Sequence, residues 1–158
     1  MFLSKLDSLS NALKLIENHQ KTTDVEEISI ADAHKRVLAE DVMAFHDSPP
    51  FDKSAMDGFA VIAENTFGAS QSAPKEFKII DAIGAGDFSS KVVGEGEAIV
   101  IATGAPIPDG ADAVIMKEYT TEDGDELTIY SQVTPGENVS PKSEDIKKAK
   151  KSFQKILL

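Results

Sequence analysis

The chain has 158 residues, room for one domain or two small ones. Acidic residues outnumber basic ones 27 to 16, for a formal charge of -11, which argues against a nucleic-acid binder, since such proteins carry a basic face. Cysteine is absent, so disulfides and thiolate metal sites are excluded.

Leu3, Leu6, Leu9, Leu13 and Ile16 recur at spacings of three and four, which predicts an amphipathic helix over residues 4–19. Such a face needs something to dock on, whether the local core or a partner chain. Val25, Ile28 and Ile30 predict a short strand, residues 32–36 a helical turn and residues 37–43 a second strand. Residues 58–63 predict a strand and residues 67–74 a surface loop. A β-rich run over 77–83 follows, closed by Gly84-Ala85-Gly86, which does not complete a dinucleotide fingerprint. Residues 98–102 are apolar almost throughout and predict a strand buried on both faces. Residues 113–117 predict another strand. Glu122-Asp123-Gly124-Asp125 predicts a hairpin joining it to residues 127–133. The lysine-rich end, finishing on Ile156-Leu157-Leu158, reads as a cut or as a short terminal element packed on the body. Helix first and many short strands after it predict an α+β chain, mainly β.

Two loops could carry chemistry. The first is Pro49-Pro50-Phe51-Asp52-Lys53-Ser54-Ala55-Met56-Asp57-Gly58. Its prolines stiffen the entry, and Gly58 would allow φ > 0. The second is Thr103-Gly104-Ala105-Pro106-Ile107-Pro108-Asp109-Gly110. A hydroxyl beside backbone N–H groups can hold an oxyanion, and a nearby carboxylate can bind a hard cation or orient water. Asp57, Asp109, Asp112 and Asp145 are the carboxylate candidates. The plainer reading is a pair of tight turns with capping polar residues. His19, His34 and His46 show no metal-ligand spacing, and no protein metal site is read here. No secretory pattern and no membrane-spanning run is visible, so a cytoplasmic protein without membrane or nucleic-acid partners is expected.

Taken together, the loops are more specific. Pro50-Phe51-Asp52-Lys53-Ser54-Ala55-Met56-Asp57-Gly58-Phe59-Ala60 resembles a signature of the molybdopterin molybdenumtransferase family, enzymes of molybdenum cofactor biosynthesis related to the C-terminal domain of gephyrin. Thr103-Gly104-Ala105-Pro106-Ile107-Pro108-Asp109-Gly110-Ala111-Asp112-Ala113-Val114 is similar to its second signature. Gly136-Glu137-Asn138 with Glu144-Asp145-Ile146 is similar to a third, and Arg36-Val37-Leu38-Ala39-Glu40-Asp41-Val42 fits upstream.

The resemblance implies bifurcated and coiled β-sheets with an N-terminal helix. Residues 46–139 would form a compact β domain inserted into an elongated dimerisation domain of residues 1–45 and 140–158. The implied reaction inserts molybdate into adenylylated molybdopterin, with Mg2+, and releases AMP; the implied assembly is a homodimer. By the resemblance, Asp57, Thr103 and Asp145 are the catalytic candidates, Asp57 and Thr103 matching polar residues of the family's active-site cleft and Asp145 the acidic residue of its third motif, and Ser54 and Gly104 are substrate-binding candidates. An alternative is a non-catalytic dimerisation or scaffolding module of the same fold. Three departures stand out. Ser140 replaces the usual arginine, removing a guanidinium suited to an oxyanion. Ser143 and Ala149 replace usual glycines, which puts the loop shapes in question. His34-Lys35 replaces the usual Leu-Gly. The family's pterin-binding α/β domain and C-terminal β domain are not found in the sequence, so the chain by itself is expected to be incomplete for catalysis.

Overall fold

The structure, a computed structural model, describes residues 8–19, 21 and 24–153. It divides into two compact units. One is Ala44–Lys150; the other holds the described residues of Met1–Met43 and Lys151–Leu158.

In the smaller unit, helix α1 runs Leu9–His19. Ser8 caps it: the Ser8 hydroxyl accepts from Asn11 N–H at 3.3 Å, satisfying one of the orphan donors of the first turn. The expected start at residue 4 lies outside the described residues. The apolar stripe is on the surface, with Leu9 77% and Ile16 61% exposed. The strand expected at 25–30 does not form. Ser29 instead caps a single 3-10 turn, Ile30–Asp32, by accepting from Ala31 N–H, and among the described residues no strand offers 25–30 a ladder. The strand expected over 37–43 is reduced to β1, Val42–Met43, paired antiparallel with β10, Lys151–Phe153. None of this unit's described residues is buried.

The larger unit is built on one six-stranded sheet. Its strands are β3 Gly58–Val61, β4 Lys75–Ile83, β5 Glu97–Ile101, β6 Ala113–Met116, β7 Thr120–Asp123 and β8 Glu126–Ile129. Their order is β6-β3-β5-β4-β8-β7. Only β4 and β5 run parallel. Successive residues point to opposite faces of a strand, and here both faces are covered. Phe59, Val61, Ile115, Phe77, Leu127 and Ile129 pack on one side. Ala60, Val114, Ile99, Ile101 and Ile83 pack on the other. This is why the strands read as nearly continuous apolar runs. Each large buried side chain adds about 1.5–3 kcal/mol relative to exposure.

A short helix α2, Ala63–Thr66, follows β3. Asp112 holds its start, with Oδ1 accepting from Ala63 N–H at 2.7 Å. Buried Thr66 donates to the Ala63 carbonyl and accepts from Val133 N–H. The hairpin turn falls at Gly124-Asp125 as expected, but the strand before it is β7, not β6. A 3-10 turn at Lys117–Tyr119 separates the two. A second small ladder pairs β2, Lys53–Ser54, with β9, Val139–Ser140, so Lys53 faces Ser140 and Ser54 faces Val139. The chain is mainly β with few helices, as the sequence predicts.

Candidate functional site

Four of the site candidates, Ser54, Asp57, Thr103 and Gly104, meet at one end of the sheet. Gly58 begins β3 and pairs with Ile101 of β5 on one side and Met116 of β6 on the other. One residue earlier, Asp57 projects from that end, with Thr103 just beyond β5. Thr103 N–H and Thr103 Oγ1 both donate to Asp57 Oδ1, each at 2.7 Å. Residues 46 positions apart therefore meet in one bidentate contact. Both are exposed. The Thr103 N–H first, then its hydroxyl, lower the Asp57 pKa below the ordinary aspartate value; burial opposes them, and the Lys117 charge adds a smaller lowering than burial takes away.

Gly58 is needed at this corner for room. The sequence suggested a positive φ, but Gly58 is not in the left-handed region. A Cβ there would lie 2.0 Å from the Ile115 carbonyl oxygen. Gly104 is the residue with φ of 84°, a conformation that L side chains resist.

The two loops are stitched together by their own backbone. Ser54 N–H donates to the Ala105 carbonyl at 2.9 Å, and Gly104 N–H to the Ser54 carbonyl at 2.8 Å. Ser54 is buried, at 1% exposure. Its hydroxyl donates to the Met56 carbonyl at 2.5 Å and accepts from Met56 N–H at 3.3 Å. Thus Ser54 and the Gly104 N–H are occupied in shaping the corner.

Asp145 sits on a different segment. Its N–H donates to the Ser48 carbonyl at 3.0 Å, and among the described residues its hydrogen bonds do not reach the Asp57–Thr103 pair. Asp109 and Asp112 serve the scaffold: the Asp109 carbonyl accepts from Val93 N–H, and Asp112 caps α2. An open groove of about 460 Å³ is lined by Asp52, Ile107, Ala111, Asp112, Gly136, Val139 and Pro141. It draws on all three signature stretches but is not lined by Asp57 or Thr103.

Sequence reasoning missed Lys117. The β3–β6 register sets it directly across from Asp57, and Lys117 N–H approaches the Asp57 carbonyl at 3.4 Å. No local signal marks it, because its relevance depends on a pairing of strands far apart in sequence.

Comparison with known proteins identifies the family. The family model for the MoeA N-terminal region, domain I and II, matches residues 7–156. A molybdopterin molybdenumtransferase of Staphylococcus aureus is 44% identical over 137 residues, covering 87% of this chain and 33% of that protein. One of Staphylococcus epidermidis is 41% identical over 141 residues, covering 89% and 33%. The crystal structure of a molybdopterin biosynthesis moeA protein from Pyrococcus horikoshii OT3 superposes with a TM-score of 0.80 at 39% identity, covering 96% of this chain and 40% of that one. The chain thus spans about a third of the length of the curated relatives it matches. It belongs to the MoeA N-terminal region family, and the relatives named above are molybdopterin molybdenumtransferases.

Proposed function

We propose that this chain supplies the Asp57–Thr103 part of a molybdopterin molybdenumtransferase site. The whole reaction inserts molybdate, the substrate, into adenylylated molybdopterin and releases AMP. The observation that carries the reading is the double hydrogen bond from Thr103 to Asp57, which ties the two signature loops together. Thr103 fixes one carboxylate oxygen and favours the ionised form. Asp57 Oδ2 then remains to accept a donor from the substrate. Thr103 is a positioning residue in this scheme, and Gly104 and Ser54 hold the corner in shape. Asp145 contributes a second carboxylate from the segment hung on Ser48.

The family's reaction uses Mg2+. Among the described residues no group of three carboxylates or histidines converges to hold a metal, so these residues do not fit a magnesium site by themselves. We also read the chain as a cytoplasmic homodimer. Supporting this is the apolar surface of α1 and of Ile30, Val37 and Leu38, all 40% exposed or more, which needs a cover. In this reading residues 1–45 and 140–158 form the dimerisation part around an inserted domain of 46–139.

The test is complementation. In a strain lacking its own molybdenumtransferase, this sequence joined to the remaining two thirds of the S. aureus relative should restore molybdoenzyme activity. Asp57→Asn in the same fusion should lower it at least about tenfold, the scale of a lost charge-assisted hydrogen bond. Activity undiminished by Asp57→Asn would overturn the assignment.

A further inference from the structure

The two loops leave an anion few donors. Ser54, Ala55, Met56, Thr103, Gly104 and Ala105 each direct their backbone N–H to a partner inside the protein. The Thr103 and Ser54 hydroxyls are also engaged. A cradle of free N–H groups, which the loop compositions suggested, is therefore not what this corner offers. A negatively charged ligand docking here must find a donor on a neighbouring element.

Lys117 is that neighbour. It follows β6 directly, opposite Asp57 across the β3–β6 pairing. Its backbone is fixed on both sides: Lys117 N–H lies on the Asp57 carbonyl, and Thr120 Oγ1 donates to the Lys117 carbonyl at 2.9 Å. Its side chain is exposed. It is near enough to bias Asp57 electrostatically, yet the two do not close into an ion pair among the described residues. Because Asp57 Oδ1 already takes two donors from Thr103, the ammonium is not consumed in neutralising that oxygen. The sheet end therefore presents a cation beside a carboxylate with one oxygen open. This arrangement suits a ligand that offers an oxyanion to Lys117 and a hydrogen-bond donor to Asp57 Oδ2.

We propose that Lys117 is the anion-docking residue of the Asp57 site, binding a tetrahedral oxyanion, either molybdate itself or the phosphoryl group of a nucleotide. The inference deepens the functional reading above and rests on it. The oxyanion chemistry is shared, and the two sources are separated by titrating sodium molybdate and AMP in parallel arms against the purified chain, by calorimetry at low ionic strength. The wild-type chain should bind at least one of them. Lys117→Gln should weaken that binding at least about tenfold, the scale of a lost charge-assisted hydrogen bond. Lys117→Arg should keep it within about threefold, since the charge remains. Lys78→Gln removes the same charge at the opposite end of β5, where Lys78 pairs with Glu97, and should change nothing. Circular dichroism of each variant checks the fold. Unaltered affinity in Lys117→Gln, or no binding of either anion by the wild type, overturns the proposal. The readings fail separately. If the fusion complements but Lys117→Gln binds normally, only the lysine assignment falls. If Lys117→Gln loses the anion but the fusion does not complement, docking stands and the transferase reading falls.

Discussion

Among the places where the larger unit bends its backbone into the left-handed region, two use different residues to do it. At the Asp57–Thr103 corner the residue is Gly104, φ 84°. Between 138 and 149 the residues are Asn138, Ser143 and Ala149, φ 58°, 66° and 61°. Asparagine tolerates that conformation, whereas serine and alanine meet their own Cβ at a cost of about 1–2 kcal/mol each. What keeps the second region in shape is hydrogen bonding. Ser143 N–H donates to the Pro49 carbonyl and Ala149 N–H to the Ala44 carbonyl, both at 2.9 Å. In the smaller unit Lys35 repeats the pattern with φ 64°. Lys35, Ser143 and Ala149 are the three positions at which the resemblance implies glycine. At each the turn forms with a side chain in place and carries strain.

The strongest way to break the comparison is at Gly58, where glycine is required by a neighbour and not by φ. In Gly58→Ala the new Cβ would have to displace the Ile115 carbonyl, 2.0 Å away in the β3–β6 ladder. Overpacking against backbone costs typically about 1–3 kcal/mol and sometimes more, and a loss of about 3 kcal/mol is expected in urea denaturation. A loss under about 1 kcal/mol would mean that β3 and β6 can separate freely at this end, and Asp57 would lose its fixed place.

The next pair of substitutions should have opposite signs. In Gly104→Ala the Cβ meets nothing within 4 Å, so only the left-handed φ opposes it, and the expected cost is about 1 kcal/mol. Ala149→Gly relieves the same strain but adds freedom to the unfolded chain. Its net gain should be about 0.5–1 kcal/mol, read as a raised urea midpoint. If both substitutions destabilise, the two regions do not share the physics claimed for them.

Much of this was legible before the structure. Residues 98–102 revealed β5 because they are apolar on both faces, and Gly124 marked the hairpin because a tight turn favours positive φ, here 66°. The strand preceding that turn was misread. Thr120–Asp123 is polar and partnered on one side only, so no apolar pattern advertises it, and the apolar 113–117 run was taken in its place. The parallel pairing of β4 with β5 was not visible, because residues 84–96 cross over without the helix such connections usually contain. At the site, spacing alone yielded two rigid polar loops. The partnership of Asp57 with Thr103 needed the family resemblance, and that of Asp57 with Lys117 needed the sheet register.

The smallest expected effect compares the two regions through their carboxylates. Asp57 is held by Thr103, as described. In the other region Asp47 accepts from Lys148 N–H at 2.7 Å. That bond, then the Ser143 hydroxyl, with Lys142 adding less, lowers its pKa below the ordinary aspartate value. Both groups have a folded pKa below the unfolded one, which is about 3.9. Each therefore adds stability that is present above about pH 4 and is lost as pH falls through the lowered folded value. Urea midpoints should be flat from about pH 7 to 5 and fall below about pH 4, less steeply in Asp47→Asn and Asp57→Asn. Asp57 is exposed and Asp47 half-buried, and solvent screening keeps the stability effect of Asp57 small, so the sharper reading is the carboxyl titration itself, followed by NMR. In Thr103→Val the hydroxyl donor disappears while the N–H, the larger cause, remains. Asp57 should then titrate above its wild-type value but still below an ordinary aspartate. An ordinary titration of Asp57 in the wild type would mean that Thr103 does not hold it in solution, and the corner joining the two loops would have to be rebuilt from other contacts.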